Sequence, residues 1–170
     1  MARVSKGSKP PRKGDGPSPL LMYDSNMRPR NKSSPGIQPI RSEESQQLLI
    51  LNLPINGLKA FICVDTGATL NAVTPEFAKV AGLTTALLDK PVPLQLACRG
   101  SKTQITAGTY SNMTIGTFSE KIYYDIVNVD RYDAVLGIPA LRSMRASIDF
   151  ASNTITIGGK VLRGLSNEEE

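Results

Sequence analysis

The chain of 170 residues contains no histidine, and it has only two cysteines, Cys63 and Cys98. Without histidine, nucleophiles that need an imidazole base and metal sites that need an imidazole ligand are excluded. Two cysteines do not make a disulfide framework and their spacing fits no metal site, so we expect a reducing compartment and neither a metal nor another cofactor. Any catalysis must then rest on carboxylates, Lys, Tyr, Cys or the backbone.

Long apolar runs are also missing near the start of the chain. The apolar cluster there is Leu20-Leu21-Met22, which is too short for the core of a signal peptide or for a membrane span. We therefore expect a soluble, cytoplasmic protein that makes no contact with membranes.

The net charge of +5 is concentrated in residues 1–47, which hold nine Lys or Arg and four acids, whereas residues 48–170 hold eleven of each. Residues 1–47 are rich in proline and lack apolar periodicity, so we expect a disordered basic leader or linker. Its charges could make a weak contact with RNA phosphates. The simpler interpretation is a solubilising linker, because aromatic side chains for base stacking do not alternate with the basic residues.

From Leu48 onward, short apolar stretches separated by turn signals predict a mostly β domain over residues 48–160, a small barrel or sandwich. Asn56-Gly57 is a strong hairpin signal between two strands, the second of which covers Leu58–Val64. Thr74 and Pro75 predict the start of a short helix that ends before Gly82, and Pro139 predicts a second short helix.

Three further segments complete this prediction. Residues 83–93, with two prolines around Val92, are expected to form a connection, and a strand is expected over 92–97, joined by a polar turn to the next strand. Gly108 is expected to separate two strands, 103–107 and 109–115. Residues 161–170, which end in three glutamates, are expected to form a flexible acidic tail.

The apolar strand Phe61–Val64 runs directly into Asp65-Thr66-Gly67-Ala68. A carboxylate at the end of a buried strand is unfavourable unless it is paired, which suggests that the acid serves chemistry. The alternative is a simple turn in which Asp65 bonds its own backbone. Cys63 shares a strand face with Asp65, and without a histidine to activate its thiol we expect a small buried side chain.

The other aspartates give no comparable signal. Asp89, Asp125 and Asp130 are expected to be ordinary surface acids. Asp133 and Asp149 lie in apolar strands and could partner Asp65, but neither is followed by a hydroxyl and a glycine, so we expect structural roles for both.

Asp65-Thr66-Gly67-Ala68 after an apolar strand, with Val135-Leu136-Gly137 and a short helix about seventy residues later, resembles the retropepsins. The similarity is closest to the proteases of gypsy-type long-terminal-repeat retrotransposons, and it runs from Leu48 to Ile157. The resemblance implies a mostly β fold, a small closed β-barrel with two short helices. It also implies an aspartic endopeptidase that uses no cofactor.

What the resemblance implies for the site follows residue by residue. Asp65, Thr66 and Gly67 would form the catalytic turn, and one such turn per chain is half a site, so an obligate homodimer is expected. Thr66 would bond across the two-fold axis. Substrate would be bound by Ala68 in the floor and by a flap comprising Ala97, Cys98, Arg99, Gly100 and Ser101.

The substrate expected from this resemblance is an extended segment of a Gag-Pol-type polyprotein, in which residues 1–47 would be a linker. The protein would act in the cytoplasm or within retroelement particles. Two alternatives stay open: a catalytically silent retropepsin fold used for dimerisation or peptide binding, and a nucleic-acid-binding protein acting through residues 1–47.

Overall fold

The structure, a computed structural model, describes residues 40–95, 102–166 and 169. Most of the predicted leader, residues 1–39, lies outside this range. The prediction of a disordered leader differs from the structure at the end of that segment, where Glu43–Gln46 form one helical turn. The side-chain amide of Gln47 then donates to the carbonyl of Leu165 at 2.9 Å, which fixes the entry into the domain.

Ten strands and three short helices occur in the part of the chain that the structure describes. The strands are β1 (Ile50–Ile55), β2 (Leu58–Val64), β3 (Ala72–Val73), β4 (Thr85–Gln95), β5 (Lys102–Ile115), β6 (Phe118–Ile126), β7 (Ala134–Leu136), β8 (Ser147–Asp149), β9 (Thr154–Ile157) and β10 (Lys160–Arg163). The helices are α1 (Glu43–Gln46), α2 (Pro75–Val80) and α3 (Ile138–Ser143). None of these helices is long and apolar enough to cross a membrane.

Six strands close into a barrel. Seven strands form one sheet in the order β1-β2-β7-β3-β6-β5-β4, and a further pairing of β1 with β5, with Ile55 opposite Met113, joins the first six into a ring. Among the described residues β4 pairs with β5 alone and lies outside the ring, while β8, β9 and β10 form a separate antiparallel sheet. The predicted fold, mostly β and closed with two short helices in the domain, is confirmed.

The barrel encloses an apolar core to which the strands contribute alternate residues. Burying aliphatic side chains stabilises the fold by roughly 1.5–3 kcal/mol each. The side chains with no more than 2 % of their surface exposed include Leu51, Ile55, Ile62, Val73, Met113, Tyr124, Leu136, Met144, Ile155 and Ile157.

Local signals correctly predicted the first hairpin and α2. Asn56 and Gly57 both have positive φ, 51° and 81°, as a two-residue turn between twisted strands requires. The Thr74 hydroxyl accepts a hydrogen bond from the N–H of Phe77 at 3.2 Å and caps α2, whose first residue is Pro75.

Three segments differ from the prediction. Strand β4 begins at Thr85, within the predicted connection, and continues into the strand that was predicted from Val92. It is an edge strand with mostly exposed side chains, in which prolines remove no ladder bond that the fold needs. Strand β5 continues through Gly108. An added Cβ at this position would overlap the Tyr123 hydroxyl, so the glycine leaves room for the Tyr123 side chain to cross the strand. Residues 161–163, predicted in the tail, lie in β10 and pair with β9.

Candidate active site

Asp65 lies directly after β2, where the strand leaves the sheet. The parallel pairing of β2 with β7 ends at Val64 opposite Leu136, and the N–H of Asp65 still donates to the Leu136 carbonyl at 2.9 Å. The strand is buried up to Val64, as expected, whereas the Asp65 side chain that follows it is exposed in the single chain. The backbone is fixed by the sheet, while the carboxylate stays accessible to a second molecule.

The turn after Asp65 is built around its carboxylate. The N–H of Gly67 donates to Asp65 Oδ1 at 2.8 Å, and the N–H of Ala68 donates to the Asp65 carbonyl at 3.2 Å. A Cβ at Gly67 would lie 3.2 Å from Oδ1, which is tighter than an ordinary contact. Thr66 is exposed. The predicted catalytic residues thus form one turn in which the glycine leaves room for the carboxylate.

Gly137, at the end of β7, allows the catalytic loop to lie against the start of α3. A Cβ at this position would overlap the Leu70 carbonyl oxygen and lie 2.7 Å from the Ala68 carbonyl oxygen. The N–H of Ile138 donates to that Ala68 oxygen at 2.9 Å. A glycine is therefore required by the close approach of two backbones, which the sequence pattern did not reveal.

Asn71 is a site residue that the sequence analysis missed. Its side chain is 7 % exposed. Oδ1 accepts from the N–H groups of Gly137 and Ala140 at 3.2 and 3.1 Å, and Nδ2 donates to the Tyr123 carbonyl at 3.0 Å. The available signal was an asparagine between apolar residues, Leu70 and Ala72. Its side chain joins three parts of the fold next to the catalytic turn.

Asp133 and Asp149 both have structural partners within the chain, as predicted. Asp133 Oδ2 accepts from the N–H of Phe61 at 2.8 Å and extends the contact between β2 and β7. Asp149 accepts from the Ala151 N–H at 2.9 Å and from the Ser152 hydroxyl at 2.7 Å, and these bonds hold the pKa of Asp149 below its ordinary value.

A small apolar floor lies beside the catalytic turn. Cys63, Ala72 and Val135 are buried together, and Ala68 and Leu70 pack against them. Ala68, predicted to bind substrate, is thus part of this floor. The predicted flap residues Ala97 to Ser101 lie outside the described residues, and the strands on either side pair up to Gln95 and Lys102. In residues 40–95 and 102–166, no three His, Cys, Asp or Glu side chains are placed to hold a metal ion.

Comparison with known proteins adds to this geometry. A family model described as the PEG10/RTL1 protease domain matches residues 61–163, which include the Asp65 turn and Gly137. The chain belongs to this family of retropepsin-like protease domains. The match covers the catalytic turn, the barrel strands from β2 onward and the sheet of β8 to β10.

Two relatives share part of their length with the chain. It is 26% identical over 113 residues to DNA damage-inducible protein 1 of Neurospora crassa, covering 66% of the chain and 26% of that protein. It is 30% identical over 124 residues to the UBA domain-containing protein Mud1 of Schizosaccharomyces pombe, covering 72% of the chain and 36% of that protein. The chain therefore spans little more than a third of these relatives at most.

Among solved structures, the retroviral protease-like domain of Ddi1 from Leishmania major has a similar fold. It superposes with a TM-score of 0.56 at 16% identity, over 73% of this chain and 95% of that domain. At this identity the similarity shows the shared fold alone.

Proposed function

We propose that this retropepsin-like domain is an aspartic endopeptidase whose active site forms when two chains each contribute Asp65. The observation that supports the proposal is the position of the Asp65 carboxylate, exposed at the end of β2 and bonded to the Gly67 N–H. The sequence contains one Asp-Thr-Gly, so a single chain has half of the required pair. A two-fold axis through the turn would bring two copies together.

In such a pair the two carboxylates share one proton, because like charges so close cannot both ionise readily. The ionised carboxylate takes a proton from a water molecule while the water oxygen attacks the scissile carbonyl carbon. The protonated carboxyl donates its proton to the carbonyl oxygen. A proton then passes to the amide nitrogen, the C–N bond breaks, and a new carboxyl and a new amine leave. Activity is expected to be highest at acidic pH.

The substrate we propose is an extended segment of a Gag-Pol-type polyprotein, and the partner is a second copy of the chain. The match to a retropepsin-like family supports a polypeptide substrate. We propose the cytoplasm and retroelement particles as the place of action. A weak RNA contact by residues 1–47 stays a prediction from their charge.

The decisive experiment compares the wild-type protein with Asp65→Asn on a peptide library near pH 5. We expect cleavage by the wild type and none by the variant, while Asp130→Asn, an exposed acid in a loop, cleaves like the wild type. Sedimentation should show a dimer at the concentrations that cleave. Equal cleavage by wild type and Asp65→Asn, or no cleavage by a dimeric wild type, would refute the peptidase and favour a silent binding module.

A further inference from the structure

Strand register places Asp125 on the same face of the barrel sheet as the floor beside the catalytic turn. Val135 of β7 lies opposite both Cys63 of β2 and Ala72 of β3. Ala72 in turn lies opposite Asp125 of β6. Because paired residues project from the same side of a sheet, these four side chains share one face.

The same face continues along the strands towards Asp65. Alternate residues of a strand share a face, so Leu70, two residues before Ala72, and Tyr123, two residues before Asp125, lie nearer the catalytic turn. Neighbouring strands are about 4.8 Å apart, which places Asp125 about 14 Å across the sheet from β2. An extended peptide advances roughly 3.3 Å per residue, so a substrate side chain a few residues from the scissile bond can reach this region.

The carboxylate of Asp125 is partly buried and lacks a cationic partner in the described part of the chain. Burial raises its pKa, and a hydrogen bond from the Tyr123 hydroxyl opposes that rise. The charged side chain next along this face of β6, Lys121, places its Nζ 5.0 Å from the ring centroid of Tyr110. Tyr110 and Tyr123 pack edge to face at 5.1 Å. The carboxylate thus lies near the Tyr123 hydroxyl and remains able to form an ion pair.

A shallow depression lies on the neighbouring strands β4 and β5, and its lining includes Gly108 and Tyr123. Gly108 lies opposite Asp125, and the Tyr123 side chain crosses it because the glycine has no side chain. The depression has a volume of about 240 Å³, and its walls include Ala86, Leu88 and the two tyrosines. Apolar walls and aromatic rings suit the aliphatic part of a long basic side chain.

We propose that Asp125, positioned by Tyr123, determines specificity in a substrate subsite that takes a Lys or Arg side chain. The proposal rests on the proposed peptidase function. A bound peptide would cover the carboxylate, and an apolar side chain there would leave its charge desolvated and unpaired. An acidic side chain would repel it, whereas a basic one forms an ion pair and lays its stem in the depression.

The test uses peptides of one sequence that carry Arg, Met or Glu at a single position, scanned over two to four residues from the scissile bond. We expect kcat/KM for Arg to exceed that for Met by about tenfold at one position, as a charge-assisted hydrogen bond allows. Asp125→Asn should reduce the preference to about twofold or less, and Asp125→Lys should favour Glu. Asp130→Asn, the matched control on an exposed acid, should keep the preference. An unchanged Arg preference in Asp125→Asn would overturn the proposal.

A binding measurement separates this proposal from the peptidase itself. The same peptides, labelled, are titrated against Asp65→Asn and against Asp65→Asn/Asp125→Asn, with fluorescence anisotropy as the readout. Preferential binding of the Arg peptide that is lost in the double variant supports the subsite even if the wild type cleaves nothing. Equal binding of the Arg and Met peptides to Asp65→Asn, or no binding of either, would overturn it. Tyr123→Phe, which keeps the carboxylate, should weaken the preference without abolishing it.

Discussion

The side-chain Oδ1 atom of Asn71 accepts a hydrogen bond from the backbone N–H of Gly137 at 3.2 Å. The same oxygen accepts from Ala140, the third residue of α3, at 3.1 Å. Helices usually receive this bond from the residue that precedes them, but Gly137 has no side chain and cannot gain one without overlapping the Leu70 carbonyl. Asn71 therefore caps α3 from the catalytic loop, and the position of that loop depends on the helix.

Replacing Asn71 with alanine should lower the free energy of unfolding by about 2–3 kcal/mol, because buried N–H groups and the Tyr123 carbonyl lose their partner. Urea unfolding measures the change. Asn112→Ala, on an exposed position of β5, is the control and should change stability by about 0.5 kcal/mol or less. Similar losses in the two variants would show that the cap contributes little.

Two glycine-to-alanine variants should separate folding from catalysis. In Gly137→Ala the new Cβ meets a backbone carbonyl that is fixed by the loop, so we expect a loss of about 3 kcal/mol or more, or no folding. In Gly67→Ala the nearest atom is the Asp65 carboxylate at 3.2 Å, which can rotate. The free energy of unfolding of Gly67→Ala should lie within about 1 kcal/mol of the wild-type value. Its peptide cleavage should fall at least about tenfold because the carboxylate is displaced. Full cleavage by Gly67→Ala would contradict this role.

The sequence predicted those elements whose signals are local. The hairpin at Asn56-Gly57, the cap at Thr74 and the turn at Asp65 each depend on a few adjacent residues, and each lies where it was predicted. The second part of β4, from Val92, was predicted as a strand, but its first part was missed because it has no buried face and leads into Pro91 and Pro93. In the part of the chain that the structure describes, β4 pairs with β5, and pairing between strands is not visible in the strand's own residues.

The parts of the site that were missed depend on residues far apart in the chain. Asn71 and Gly137 are 66 residues apart, and their bond exists because β3 and β7 are neighbours in the barrel. Asp125 was interpreted as an ordinary surface acid, but register places it beside Ala72, and its side chain is partly buried. Polar residues in short strands acquire their roles from the sheet order, which local patterns do not encode.

The cap of α2 provides a prediction about local stability. Thr74 is buried and its hydroxyl accepts the Phe77 N–H, so Thr74→Ala should destabilise the protein by about 1 kcal/mol. Thr74→Ser keeps the hydroxyl oxygen and should retain most of the stability that the alanine variant loses. Thermal unfolding of the three proteins checks the order, and equal melting temperatures for the alanine and serine variants would show that the hydroxyl is not the stabilising group.

Asp125 should make the fold less stable at neutral pH than at acidic pH. The pKa of Asp125 is raised in the folded state above the ordinary value of 3.8. Its contribution to the stability of the fold is therefore present below pH 3.8 and is lost as pH rises through the pKa of the folded state. Asp125→Asn removes the titration and keeps an acceptor for Tyr123, so the variant should be more stable than the wild type at pH 7. The difference should shrink as pH falls towards 3.

Asp149→Asn should change the stability of the fold in the opposite direction to Asp125→Asn. The pKa of Asp149 is lowered by the Ser152 hydroxyl and the Ala151 N–H, so its contribution is present above the ordinary value and is lost as pH falls through the folded pKa. This variant should be less stable than the wild type at pH 7, and the deficit should disappear at low pH.

Urea midpoints from pH 3 to pH 7 test both variants. If Asp125→Asn is instead less stable than the wild type at pH 7, burial does not disfavour that charge. If it is more stable and has also lost the preference for basic peptides, the destabilising charge serves substrate binding.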